Sequence, residues 1–333
     1  MNKFVITRIA QERFKMCAPG KAPSDCGKIF EINGFTNITF VMPQSGIINK
    51  IISSSRQFLA LLKTIRRNDS VVIQYPVAPM ICKFLYIFGR RDVSLLIHDI
   101  ESIRRGRVIS SDDMFSFKMA KFIIVHSEAM MSFLSNLGIS PSKMIVLEFF
   151  DYLTSYTNKE KREKSNEVCF CGNLVKSNEF IKKIKNSSIL ESVSFNMYGS
   201  SYFDSEKNVM YKGSFKPEQI DHIHGSWGLV WDGNSIEGCE GALGNYLKIN
   251  APHKMSLYIA AELPIICWAK SASAKLVQKY GIGIVVENLK QLPYLLENVS
   301  EQDYFRMLEN IKVLSEKVRK GDVLYEIIKK VRL

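Results

Sequence analysis

Four short stretches of the 333-residue chain combine charged or nucleophilic side chains with residues that bring backbone N–H groups to a ligand. In Asn250-Ala251-Pro252-His253-Lys254-Met255, Pro252 suits the first turn of a helix, whose free N–H groups make an anion site. Lys254 puts a full positive charge at that end, which is unfavourable beside the helix dipole unless an anion compensates it. A diphosphate would do so; a solvated lysine is the plainer alternative. Cys171-Gly172-Asn173-Leu174-Val175-Lys176 offers a second place of this kind. Its glycine permits close backbone approach, Asn173 can hydrogen-bond a sugar or phosphate oxygen, and Lys176 opens a helix, although an ordinary turn fits the same letters. Trp231-Asp232-Gly233-Asn234 runs on to Gly241-Ala242-Leu243-Gly244-Asn245-Tyr246-Leu247-Lys248. That predicts a glycine-rich loop of roughly twenty residues, a length that in a compact domain usually serves a site, with a flexible connection as the alternative. Lastly, His98 and Asp99 close an apolar run just before Arg104-Arg105-Gly106-Arg107. They point to opposite faces of a strand, so one of them could take a proton from a hydroxyl; an ion pair with a nearby arginine is the alternative.

Absent motifs narrow the chemistry. There is no GxxxxGK[ST] loop and no GxGxxG after a first strand, which disfavours ATPases and simple dinucleotide enzymes. Asp112-Asp113 reads as a helix start rather than as a carboxylate pair holding a metal-bound nucleotide sugar. The seven cysteines (Cys17, Cys26, Cys82, Cys169, Cys171, Cys239, Cys267) are scattered and form no CxxC, so zinc ribbons and disulfide frameworks are disfavoured and a reducing compartment is expected. Cys169 and Cys171 share one face of an apolar strand and read as core. His222-x-His224 shows no third ligand nearby.

The elements that must position these residues follow from periodicity. Strands are predicted at Thr36–Met42, Val71–Tyr75, Val93–Asp99, Phe122–His126 and Met144–Phe149, with helices at Asn49–Arg67, Asp112–Ala120 and Glu128–Asn136. The polar, charge-dense Ser155–Asn166 is the clearest linker. Beyond it, strands are predicted at Val168–Cys171, Val193–Tyr198, Val209–Tyr211, Trp227–Trp231, Pro264–Trp268 and Gly283–Val286. Helices are expected near Asn178–Lys185, Pro217–His224, His253–Ala261, Ser271–Tyr280 and Leu289–Asn298, then from Glu301 to Val331 with a break at Gly321. Short apolar strands alternating with helices indicate buried parallel sheets. The expected fold class is therefore α/β: two Rossmann-like, doubly wound domains, 1–155 and 166–333, with the final helices packing back on the first. Ligands in such sheets sit beyond the carboxyl ends of the strands, where the four stretches fall.

Charge is divided unevenly. The net charge is +12, but residues 1–165 carry 24 Lys+Arg against 14 Asp+Glu, while residues 166–333 carry 21 against 19. One half therefore presents a basic surface to something anionic: a membrane, a nucleic acid or a phosphorylated substrate. Nucleic acid is disfavoured because no recognisable module interleaves the basic residues with aromatics. The N-terminus lacks the pattern of a signal peptide, and the apolar stretch Pro76–Gly89, interrupted by Lys83, is too short to span a bilayer. A cytoplasmic location is expected.

Several segments resemble the bacterial β-1,6-galactofuranosyltransferases of O-antigen and surface-polysaccharide assembly, and more distantly the streptococcal glucosyltransferases that extend glycans on serine-rich adhesins. They are Ile97-His98-Asp99-Ile100 with Arg104, Phe150-Asp151-Tyr152-Leu153, Gly172-Asn173-Leu174, Tyr211-Lys212-Gly213-Ser214-Phe215, and above all the run from Gly228 to Pro264. The first thirty residues match poorly.

The resemblance implies a GT-B glycosyltransferase whose two domains face each other across a cleft. The acceptor would be held by the first domain and a UDP-sugar by the second, with no metal cofactor. It places the donor at Gly172, Asn173, Lys176, Gly199, Tyr211, Asp232, Tyr246, Lys248, His253, Lys254 and Met255, with Lys254 matching the family's phosphate-binding lysine. Lys176 stands where the streptococcal relative has an arginine, and the glutamate that often holds the ribose is missing from Met255-Ser256-Leu257-Tyr258. Asp99 or His98 would act as base in a displacement with inversion. The expected reaction moves galactofuranose from UDP-galactofuranose to a polyprenyl-diphosphate-linked oligosaccharide at the anionic inner face of the cell membrane. UDP-glucose or UDP-galactose as donor, and a glycoprotein as acceptor, stay open, as do a non-catalytic sugar-binding role and self-association into a homo-oligomer.

Overall fold

Short β-branched runs build two all-parallel sheets of six strands. The first half supplies β1 Lys3–Ile9, α1 Lys21–Ile32, β2 Thr36–Val41, α2 Ile47–Thr64, β3 Ser70–Tyr75, α3 Pro79–Ile87, β4 Val93–Ile97, α4 Glu101–Arg104, α5 Ser111–Met119, β5 Ile123–Val125, α6 Glu128–Asn136 and β6 Met144–Val146. The second supplies β7 Glu167–Cys171, α7 Asn178–Lys185, β8 Ser194–Tyr198, β9 Val209–Tyr211, β10 Trp227–Val230, α8 Gly241–Leu247, α9 His253–Ala260, β11 Ile265–Trp268, α10 Ala272–Tyr280, β12 Gly283–Val286, α11 Leu292–Asn298, α12 Glu301–Lys320 and α13 Asp322–Val331. This computed structural model describes residues 2–9, 20–41, 47–76, 79–90, 92–156, 162–200 and 208–331. Cys17, Met42, Arg91 and the middle of the expected linker lie outside the described residues.

Contacts divide the chain into Met1–Glu148 with Val323–Leu333, and Phe149–Asp322. The segment from Phe149 to Ser155 thus joins the second unit rather than the first: the Tyr152 N–H donates to the Val318 carbonyl at 2.9 Å, and its phenol donates to the Pro217 carbonyl at 2.7 Å.

In the first sheet the strand order is β2-β1-β3-β4-β5-β6, and in the second it is β12-β11-β10-β7-β8-β9. Winding therefore reverses between β1 and β3 and again between β7 and β10. The connections that leave such a pair depart to opposite sides and open a crevice at their carboxyl ends.

Helix ends carry local signals. Ser110 and Asp113 form a reciprocal capping box at α5, so Asp113 is a helix start, and its carboxylate also accepts from the Tyr75 phenol. Ser127 and Ser300 cap α6 and α12, and Gly321, in the left-handed region, stops α12. At the far end of α9, the Arg319 guanidinium donates to the Ala260 carbonyl at 2.6 Å and pairs with Glu262 at 2.6 Å, both ions largely shielded from water.

Sequence periodicity missed β1, α1, α3 and α4. Two of its elements need correction. Pro217–His224 forms only a single 3-10 turn, Ile220–His222, and the glycine-rich loop after Asp232 contains α8.

Close packing at β10 locks α9 in place. Gly228 lies under the Tyr258 ring so tightly that a Cβ would overlap it. Replacing Gly228 by Ala should therefore destabilise the second unit by about 1–3 kcal/mol, read as a shifted unfolding transition in chemical denaturation.

Candidate functional site

The winding reversal sets β7 beside β10, with Val168 opposite Trp227 and Cys169 opposite Gly228. Beyond their ends lie Gly172 and Asp232. Helix α9 is pinned to both strands by one buried phenol. The Tyr258 hydroxyl accepts the Cys171 N–H at 2.9 Å and lies 3.2 Å from the Leu229 carbonyl, to which it can donate. Burial holds the phenol of Tyr258 and the thiol of Cys171 well above their ordinary pKa values, so both are neutral.

Lys254 is four residues before Tyr258, on the same helix face and one turn nearer the N-terminus. Its Nζ donates to the Trp231 carbonyl at 3.0 Å, stands 3.6 Å from Asp232 Oδ1 and lies 4.3 Å from the centre of the Phe170 ring. Lys176 Nζ stands 3.6 Å from the same oxygen. One carboxylate thus faces two ammonium groups, leaving a local charge of about +1 beside a helix start that no side chain caps. Pro252 is the N-cap of α9 rather than its first residue.

The neighbouring turns form a shelf. The Gly172 N–H donates to the Tyr198 carbonyl and the Gly199 N–H to the Gly213 carbonyl, each at 2.9 Å. The Tyr211 phenol donates to the Gly199 carbonyl at 3.1 Å. A Cβ at Gly199 would overlap the Gly172 carbonyl, so that turn needs glycine, and one at Gly172 would press within 3.2 Å of Lys254 Cε and of the Phe170 ring. Asn173 Oδ1 accepts the Lys176 N–H at 3.0 Å and fixes where that lysine begins.

These contacts bring Gly172, Asn173, Lys176, Gly199, Tyr211, Asp232 and Lys254 together. Lys248 lines an adjoining cavity of about 370 Å³ with Trp268, Glu240 and Glu287, its Nζ 5.9 Å from the indole centre. Cys239 connects the two places: it lines the cavity, and its thiol, pushed up by burial, sits against the Asp232 backbone. The remaining expected donor contacts have other partners in the structure. Met255 is buried, with its N–H donated to the Pro252 carbonyl, and Tyr246 is buried in α8. The His253 ring stacks on Tyr152 at 5.0 Å, with Nε2 3.4 Å from the Asp151 carbonyl. The sequence alone assigns no role to Phe170 or to Tyr258, although Phe170 shares a strand face with Gly172 two residues on. Among the described residues, no group of three or more His, Cys, Asp or Glu side chains is placed to hold a metal ion.

In the first unit, His98 and Asp99 follow β4. The Arg104 guanidinium lies 3.3 Å from Asp99 Oδ2 and 3.4 Å from Glu101, so Asp99 belongs to the ion pair weighed from its sequence. His98 Nε2 meets Gln74 Oε1 at 2.7 Å.

Comparison with known proteins agrees with this geometry. Residues 3–149 match the family model for the N-terminal domain of glucosyltransferase 3-like proteins, and residues 168–331 match that for the C-terminal domain. β-1,6-Galactofuranosyltransferase WbbI of Escherichia coli (strain K12) is 33% identical over 296 residues, 85% of this chain and 86% of the relative. Glucosyltransferase 3 of Streptococcus parasanguinis is 22% identical over 278 residues, 80% of this chain and 79% of that protein. Among solved structures, HepE from Anabaena, crystallised with UDP and glucose, aligns over 100% of both chains with a TM-score of 0.62 at 11% identity, a likeness of fold alone. The two parallel six-stranded sheets have the GT-B architecture, and the chain is a glycosyltransferase belonging to the glucosyltransferase 3-like family.

Proposed function

We propose that the enzyme transfers galactofuranose from UDP-galactofuranose, with inversion, to a hydroxyl of a lipid-linked oligosaccharide in surface-polysaccharide synthesis. The observation that carries this reading is the convergence of Lys254 and Lys176 on Asp232 at the start of α9. In the reaction, the diphosphate of the donor takes up the lysine charge that Asp232 now balances. The two ammonium groups and the helix N-terminus then stabilise the negative charge that develops on UDP as the anomeric bond breaks. His98 removes the acceptor proton, Asp99 being held by Arg104. Galactofuranose is favoured over glucose by the higher identity to WbbI than to the streptococcal glucosyltransferase.

Lys254→Met should lower kcat/KM by about 10²–10³-fold and weaken UDP binding in calorimetry. Unchanged turnover would remove Lys254 from the phosphate site. Because fixed cations take the diphosphate charge, EDTA should leave turnover unaffected; loss of activity restored by a divalent cation would contradict this. In a donor panel, UDP-galactofuranose should be turned over in preference to UDP-galactose and UDP-glucose.

The first unit supports a membrane-bound acceptor. Between Ile47 and Arg90 the sequence has seven Lys or Arg residues and a single acid, Asp69, which is buried and accepts the Arg66 N–H; one of the seven, Lys83, pairs with Asp112 of α5. Leu59, Ile87 and Phe88 are 56%, 70% and 45% exposed, and Phe58 packs against both Phe84 and Phe88 to join α2 to α3. Exposed apolar side chains in a segment rich in cations suit an anionic leaflet, where each nearby cation contributes about 1 kcal/mol. No helix among the described residues is long and apolar enough to cross a membrane. The double substitution Ile87→Ser with Phe88→Ser should reduce co-sedimentation with phosphatidylglycerol-containing vesicles; binding indifferent to anionic lipid would contradict peripheral attachment.

A further inference from the structure

A row of polar side chains crosses the first sheet where apolar residues would serve packing better. Gln74 interrupts the run Val71-Val72-Ile73 of β3, and Thr7 sits in β1 beside it; both are almost fully buried. The Gln74 amide nitrogen donates to Thr7 Oγ1 at 2.8 Å and to the Pro23 carbonyl at 3.1 Å. The Thr7 hydroxyl in turn donates to Asn37 Oδ1 at 2.7 Å. Helix α1 closes over this row at Gly27, where a Cβ would come within 2.9 Å of Asn37 Nδ2 and 3.1 Å of Thr7 Oγ1.

The direction of the bond between Gln74 and His98 is determined. A backbone carbonyl only accepts, so Pro23 fixes which end of the Gln74 amide is the NH₂ group. The amide oxygen must then face His98, and an amide oxygen also only accepts. The His98 Nε2 at 2.7 Å therefore carries the hydrogen, and in the neutral ring the lone pair is on Nδ1. Burying Thr7 and Gln74 in a parallel sheet, linked to the half-buried Asn37 and His98, costs desolvation that an apolar pair would avoid. Their common product is a fixed imidazole at the carboxyl end of β4.

We infer that Gln74 is a positioning residue for the transfer reaction, holding His98 protonated at Nε2 so that Nδ1 is the nitrogen that takes the acceptor proton. This rests on the reading of His98 as the base. The proton passes from the acceptor hydroxyl to Nδ1 as the hydroxyl oxygen bonds the anomeric carbon and the electron pair of the broken bond leaves with UDP. Thr7 and Asn37 act one step further back, by keeping the Gln74 amide from rotating.

Three measurements on the full-length enzyme test this. His98→Ala should abolish most turnover while leaving the KM for the donor unchanged; wild-type turnover would sink the base reading itself. Gln74→Met, which keeps length and removes both hydrogen-bonding functions, should lower kcat by about 10–100-fold with donor KM unchanged. An inactive His98→Ala beside a fully active Gln74→Met would overturn the role of Gln74 alone. Should Gln74→Met fail to fold, the unsubstituted protein still decides. Long-range ¹H–¹⁵N spectra of ¹⁵N-histidine-labelled enzyme, with His98 assigned by its loss in His98→Ala, should show Nε2 protonated. A ring protonated at Nδ1 would overturn the inference.

Discussion

When a parallel sheet changes its direction of winding, two neighbouring strands send their connections to opposite faces, and nothing covers the ground between their carboxyl ends. In the second unit those strands are β7 and β10. The Tyr258 phenol ties α9 to both, accepting from Cys171 and reaching the Leu229 carbonyl, while Gly228 leaves room for its ring. With α9 fixed there, its N-terminus and Lys254 can only stand at the mouth of the crevice. The placement of the shelf of Gly172 and Gly199, of Lys176 and of Asp232 then follows from the strand ends that carry them.

Electrostatics in that crevice are balanced short of neutrality. A lysine in the first turn of a helix meets the positive end of the dipole, and Asp232 offsets part of that cost by facing Lys254 and Lys176 together. At 3.6 Å these are ion pairs without short hydrogen bonds, and all three groups keep some access to water. Such an arrangement keeps two long side chains gathered, which limits the ordering needed to bind an anion between them. Phe170 adds an aromatic face beneath Lys254, so the ammonium is steered from below as well as from the side.

Much of this was legible in the residues themselves. β9, β12, α6 and α7 fall on the expected boundaries, and Lys254, Lys176 and Asp232, named for their positions after strands and at helix starts, lie together. What escaped has physical causes. Lys3 and Arg8 give β1 the look of a polar terminus, although it lies inside the sheet between β2 and β3. Helix α3 is apolar on most sides, which hides its period. Tyr258 and Gln74 act through partners far away in sequence, so no local pattern could mark them. Met255 and Tyr246, expected from the resemblance, are buried in α9 and α8.

The central claim is that the diphosphate of the donor lies where Lys176 and Lys254 converge, at the start of α9. A crystal structure of the enzyme with UDP tests it most directly. The account predicts phosphate oxygens within hydrogen-bonding distance of the Nζ atoms of both lysines. UDP seated with its diphosphate away from both lysines, for example directed into the cavity lined by Trp268 and Lys248, would contradict it.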